Sequence, residues 1–251
     1  MRIAVLLLCG FVLAACSTQP VSPEKQMHYK RVGILSAMGD QFSTNAVGVT
    51  VFGNEQKTAK IDFGFDDILT QQAKQLLSQR YEVVELTKYR NEFLNTEKYW
   101  PGQQGMFAPD RPGTQEVVRK LMGTEQLDAY IILTPASASV RGTNQGVGGI
   151  GIVKLQRLMG TNEFLLHAAY IVSVIDGKDY SFSGDMRAVP VDESNFTSFG
   201  LGSSRLSAPN WPVLSQLWEM PESRKTEIVD IFMLLARQSL PHTFRRAQLL
   251  Q

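Results

Sequence analysis

The sequence predicts a single α/β or α+β domain, residues 31–251, with a mixed central sheet flanked by helices. Three observations predict it. Strand-like and helix-like periods alternate along the chain in the order β, hairpin, α, β, α, β, loop, β, β, α. Apolar residues make up 43% of the 251 positions, enough to fill one large core or two small ones. No internal repeat or low-complexity tract divides the chain.

The chain opens MRIAVLLLCGFVLAACSTQP. Arg2 gives a positive start, and Ile3 to Ala15 form a short apolar run that ends in Leu13-Ala14-Ala15-Cys16. That order is a secretory signal, residues 1–15, removed by cleavage. Crossing a bilayer as a helix takes about 20 apolar residues, so the run is too short for a permanent span. LAAC resembles the lipobox of bacterial lipoproteins. The resemblance implies cleavage before Cys16, acylation of its thiol and amino group, and a membrane partner held through the lipid. Ser17 in place of Asp implies the outer membrane, with the body facing the periplasm. Two cysteines are present, Cys9 and Cys16. The first leaves with the signal and the second takes lipid, so no thiol is left for a disulfide, a metal or a nucleophile.

Residues 17–30 (STQPVSPEKQMHYK) are polar, carry Pro20 and Pro23, and show no apolar period. With Cys16 they read as a flexible lipidated tether, residues 16–30, whose extended reach is about 45 Å. Arg31 to Ala37 (RVGILSA) is the first strand of the domain. Val47 to Val51 alternates strictly and pairs as a hairpin with Thr58 to Phe63. Asp66 is the expected cap of a helix that buries Leu69, Ala73, Leu76 and Leu77. Tyr81 to Leu86 is a strand, and the loop Trp100 to Gly113 follows it. Thr114 is the expected cap of a helix with Val118, Leu121 and Met122. Asp128 to Thr134 is a strand apolar on both faces, as in a fully covered sheet. Phe164 to Ile175 is the strongest strand and turns at Asp176-Gly177 into Tyr180 to Phe182. Pro190 to Pro212 is loop, and Val213 to Met220 is helical. A last helix runs from Glu222 to Leu240, and Pro241 is its expected stop.

The run RVGIL, helix, YEVVEL, helix, LDAYIIL, YIVSVIDG resembles a group of envelope domains over Arg31 to Phe182. The group includes the small lipoprotein activator of a peptidoglycan synthase, the curli secretion lipoprotein and the amino-terminal domain of the Tol-system propeller protein. The sequence departs from them in the insertion between Gly39 and Gly64 and in the proline-rich loop. The resemblance implies the fold and leaves the function unassigned.

Gly146 to Gly151 (GVGGIG) has the G-x-G-x-x-G spacing of a dinucleotide fingerprint. That site needs a strand-to-helix turn and an acidic residue about 20 positions on. Here the preceding strand ends near Thr134, and Asp176 falls in a hairpin. The segment is therefore read as a mobile loop, Arg141 to Gly151, or as part of a projecting hairpin, Ser137 to Val153. No cofactor is expected. His28 and His242 lie in the tether and tail, and His167 reads as a structural histidine. The pattern gives no catalytic group and no zinc site. Asp176, Asp179 and Asp185 read as turn residues, not as a calcium site. Without Arg2 the basic and acidic residues balance at 24 each, which gives no signature for nucleic acid.

Recognition is what remains. Trp100, Met106 and Phe107 lie in one long loop, and Phe196, Phe199 and Trp211 in another; Arg141 stands at the lip of the glycine segment. Loop aromatics are typical binding anchors. The expected function is a non-catalytic lipoprotein that binds an envelope protein or peptidoglycan as an adaptor or assembly factor. An oligomeric secretion component using the 47–63 or 137–153 hairpin is the alternative, and an enzyme of unknown class comes third.

Overall fold

The computed structural model describes residues 19–47, 55–96, 112–139, 146–156, 162–188, 201–205 and 220–251. In chain order the elements are α1 (Pro23–His28), β1 (Arg31–Ser36), β2 (Gln41–Val47), β3 (Glu55–Lys60), α2 (Phe65–Leu77) and β4 (Glu82–Glu85). Then come α3 (Arg90–Leu94), α4 (Pro112–Met122), β5 (Ala129–Pro135), β6 (Ser137–Ser139) and β7 (Gly146–Gly148). The chain continues through β8 (Ile150–Gln156), β9 (Asn162–Asp176), β10 (Phe182–Arg187), β11 (Leu201–Arg205) and α5 (Glu222–Arg246).

The long strand β9 organises the sheet. Its first half pairs with β8 and β11, and its second half with β5 and β10, all antiparallel. The order β3-β2-β8-β9-β5-β1-β4 completes the sheet, with β1 parallel to β4 and β5 and β2 parallel to β8. The sheet is therefore mixed, as expected. One face of β9, Leu166, Ala168, Tyr170, Val172 and Val174, packs with α2 (Leu69, Ala73, Leu77) and α5 (Phe232, Leu235, Leu240, Phe244) in the main core. The other face is covered in two patches. Leu35, Tyr130 and Ile132 lie under Phe93 of α3 and Val117, Val118 and Met122 of α4. Leu165, Ala169 and Ile171 lie with Ala138 and Val147 of the β6–β7 pair. Apolar residues on both faces of β5 follow from this double cover.

Five expectations change here, besides the Asp66 cap and the Pro190 to Pro212 loop, in which Leu201–Arg205 forms β11 against β9. The hairpin of residues 47–63 is present, but its first strand begins at Gln41 and pairs Gln41 with Lys60 through Ala46 with Glu55. Thr114 is not a cap: it lies inside α4, 3% exposed. Pro241 does not stop the last helix, which runs on to Arg246. An interior proline costs about 3 kcal/mol, and burial of Leu240, Thr243 and Phe244 beyond and beside it offsets that cost.

The fourth change is GVGGIG, which is β7 and the start of β8: the loop reading fails, while the hairpin reading holds in part, with β6 paired antiparallel to β7. Gly149 takes φ +58° at the bend between them. Gly151 sits in register between Ser43 of β2 and His167 of β9, and a methyl group there would overlap the Ser43 carbonyl. These glycines serve strand packing, and no helix follows them to receive a pyrophosphate.

The fifth is the tether, whose residues 19–30 are part of the body. Gln19 exchanges backbone bonds with Asp185, and Val21, fully buried, donates its N–H to the Ala247 carbonyl at 3.1 Å. Ser22 caps α1. Lys25 Nζ reaches Asp176 at 3.2 Å and Ser183 at 3.0 Å, and the Gln26 amide bonds the Gln248 carbonyl. The Tyr29 hydroxyl bonds Ser183 at 2.9 Å and Asp176 at 3.2 Å, and burial pushes its pKa up. Proline and polar composition signalled a linker, but Val21 and Tyr29 supply enough apolar contact to dock it. The Val213–Met220 helix lies outside the described residues except for Met220, which is buried.

Candidate functional site

A cleft of about 1050 Å³ opens at the carboxyl ends of β1 and β5. This is where open α/β sheets tend to place their ligands. Its walls are the β1–β2 turn and the start of α2, the exposed side of α3, and the β6–β7 pair, with the edge strand β3 contributing Gln56, Thr58 and Lys60.

Asp66 builds one wall. Its helix begins at Phe65, two residues earlier than an Asp66 cap implies, with Gly64 as the N-cap at φ +70° and no side-chain cap. Asp66 is not the cap. Its carboxylate, 8% exposed, turns back to the β1–β2 turn and accepts from Ser36 Oγ at 2.5 Å, Met38 N at 2.7 Å and Gly39 N at 3.0 Å. Three donors satisfy a buried carboxylate and fix the turn. Arg90 ties α3 to the same corner: Nε donates to the Ser36 carbonyl at 3.0 Å, and Nη1 pairs with Asp67 at 2.7 Å. Beneath lies an aromatic chain, with Phe42–Phe63 and Phe63–Phe65 centroids both at 5.0 Å and Phe65–Phe232 at 4.1 Å. Each such pair contributes about 1 kcal/mol beyond its buried area, so the corner is rigid.

His167 lies fully buried in β9, opposite Gly151 of β8. Burial pulls its pKa down to about 4, opposed by a hydrogen bond to the Gly149 backbone. The neutral ring fits a structural role. The unfolded chain takes up a proton here near pH 6.5, and the folded chain only near pH 4. Stability is therefore complete above pH 6.5 and is lost as the pH falls through that window. Between pH 7.5 and 4.5 this group is expected to remove up to about 3 kcal/mol, measured by urea unfolding. The same slope in His167→Gln would place the titration elsewhere.

The sequence-predicted anchors Trp100, Met106, Phe107, Arg141, Phe196, Phe199 and Trp211, and Cys16, the expected site of lipidation, lie outside the described residues. Asn95, shortly before the Trp100 loop, and Ser137 and Gly146, on either side of the Arg141 segment, line the cleft. Asp176, Asp179 and Asp185 serve separate bonds, to Tyr29 and Lys25, to Ser181 N, and to Ser173 Oγ. No group of three or more metal-ligating side chains occurs among the described residues. Sequence reasoning missed Asp66 and Arg90 as cleft residues. The only signal was the doublet Asp66-Asp67 after Gly64, which has the same pattern as an ordinary helix start.

No protein-family model matches the chain. No curated protein matches it. Among solved structures, protein XCC0632 from Xanthomonas campestris (family DUF330) aligns at 7% identity and TM-score 0.35, covering 91% of this chain and 90% of that one. Lipoprotein GNA1162 from Neisseria meningitidis aligns at 12% identity and TM-score 0.28, covering 80% of this chain and 99% of that one. Likeness at these scores carries no argument about function.

Proposed function

We propose that the protein is a lipid-anchored lipoprotein of the bacterial envelope, held at the outer membrane through Cys16 with its body in the periplasm. The body is a non-catalytic adaptor or assembly factor. It binds an extended segment of an envelope component, a protein or a peptidoglycan strand, in the cleft at the carboxyl ends of β1 and β5. One observation carries the reading: three of the four aspartates that line that cleft are engaged within the fold, and the fourth, Asp40, stands exposed at the β1–β2 turn. Asp66 is occupied by Ser36, Met38 and Gly39, Asp67 by Arg90, and Asp62 by the Gly64 N–H. They shape a wall and leave recognition to the exposed polar row Gln56, Thr58 and Lys60 on an edge strand. Among the described residues, no helix is long and apolar enough to cross a membrane, so the lipid is the anchor proposed.

Photoreactive side chains at Thr58 and Asn95, tested in intact cells, are expected to give adducts with an envelope component. A control at exposed Lys178, in the turn after β9, is expected to give none. Adducts at Lys178 with none at the cleft positions would reject the cleft.

A further inference from the structure

The docking of residues 19–30 changes where the body stands. Of the expected tether, only Ser17 and Thr18 separate Cys16 from the first docked residue, Gln19, a span of about 10 Å where some 45 Å was expected. Val21 is bonded to Ala247, one residue past the end of α5. At most about 17 Å of chain therefore lies between Cys16 and that helix end.

The surface next to this attachment is unusual in composition. From Ile231 to Gln251 the chain has three arginines, Arg237, Arg245 and Arg246, and no acidic residue. All three are exposed, as is His242. Among the described residues none of the three arginines has a carboxylate within ion-pair distance; Arg245 instead lies 3.4 Å from the His242 ring. Leu234, Arg237, Gln238, His242 and Arg245 recur at helical spacing opposite the buried row Phe232, Leu235, Ala236, Ser239 and Thr243. The two exposed large hydrophobic side chains of the described residues are Leu234, on this face, and Met27, on α1. Met27 lies on the docked α1, and Leu234 on the helix whose end is followed by Ala247, the partner of Val21. Glu24 is the one acidic residue of α1.

We infer that the outer face of the second half of α5, with Met27, is an interfacial surface that lies on anionic phospholipid headgroups of the leaflet holding the Cys16 lipid. Arginines supply the attraction to the lipid phosphates, and Leu234 and Met27 enter the headgroup boundary. The inference rests on the lipoprotein reading for its geometry. Its test does not need the lipid.

The mature chain carrying Cys16→Ser is to be sedimented with vesicles of phosphatidylethanolamine and phosphatidylglycerol, and with vesicles of phosphatidylcholine alone. Binding is expected only to the anionic vesicles and is expected to fall in high salt. Arg237→Gln with Arg245→Gln should weaken it about 30-fold, from about 1 kcal/mol per basic residue near the surface. Equal binding to both vesicles, no binding to either, or unchanged affinity in the double variant would overturn the inference. Because both arginines are exposed, an unchanged unfolding midpoint is the expected control; Leu234→Asp, which leaves the charges intact, should weaken binding independently. Charge-dependent binding by a protein whose native Cys16 has a free thiol would leave this surface standing and reject the anchor. An acylated Cys16 with no such binding would do the reverse.

Discussion

Asp66→Ala is expected to lower the stability of the protein by about 3 kcal/mol. The substitution strands the Met38 and Gly39 N–H groups and the Ser36 hydroxyl in a corner where Asp66 is 8% exposed. A buried donor left without its acceptor costs about 1–3 kcal/mol. For a chain of this size each kcal/mol shifts the midpoint by about 2–4 °C, so thermal unfolding should move down by about 10 °C. Asp67→Ala is the control. Its carboxylate is 63% exposed and bonded to Arg90 alone, and such pairs contribute less than about 1 kcal/mol. Equal shifts for the two variants would show that the Asp66 bonds do not hold the turn. Because that turn forms a wall of the cleft, cleft crosslinking at Thr58 is also expected to fall in Asp66→Ala.

Gly151→Val is expected to be at least as damaging, by about 3 kcal/mol or more. A side chain there meets the Ser43 carbonyl, with the Ser43 carbonyl carbon only 2.9 Å away. A backbone atom cannot rotate aside as a side chain does, so β2 must separate from β8. Among the described residues strand β3 pairs only with β2, so the outer corner of the sheet, with Gln56 and Thr58, would loosen with it. Hydrogen exchange should quicken at Thr44 and Asn45 in β2 and stay slow at Ile131 in β5. Gly148→Ala, only three positions away, is expected to change stability by less than about 0.5 kcal/mol, since the nearest atoms lie 3.7 Å from its added methyl. Matching losses at both positions would mean that the segment behaves as a uniform glycine loop.

What the sequence determined alone was the set of elements whose apolar period is local. The alternation along β9, the double-faced apolar run of β5, the Asp176-Gly177 turn and the buried stripe Leu69, Ala73 and Leu77 of α2 are legible because each concerns neighbours within one or two turns of chain. The tertiary structure decided the rest, because there the deciding partner is far away in sequence. Pro241 stays helical because Leu240 and Phe244 find a core. Asp66 caps nothing because Ser36, Met38 and Gly39 come within its reach when β1 and α2 pack together. Gly151 is required by Ser43 on a strand that ends more than a hundred residues earlier. The polar opening segment docks because Val21 meets Gly184 of β10 and Ala247 beyond α5. Local pattern indicates which face of an element is apolar; which partner covers that face, and in what register, is set by packing between segments that the sequence keeps apart.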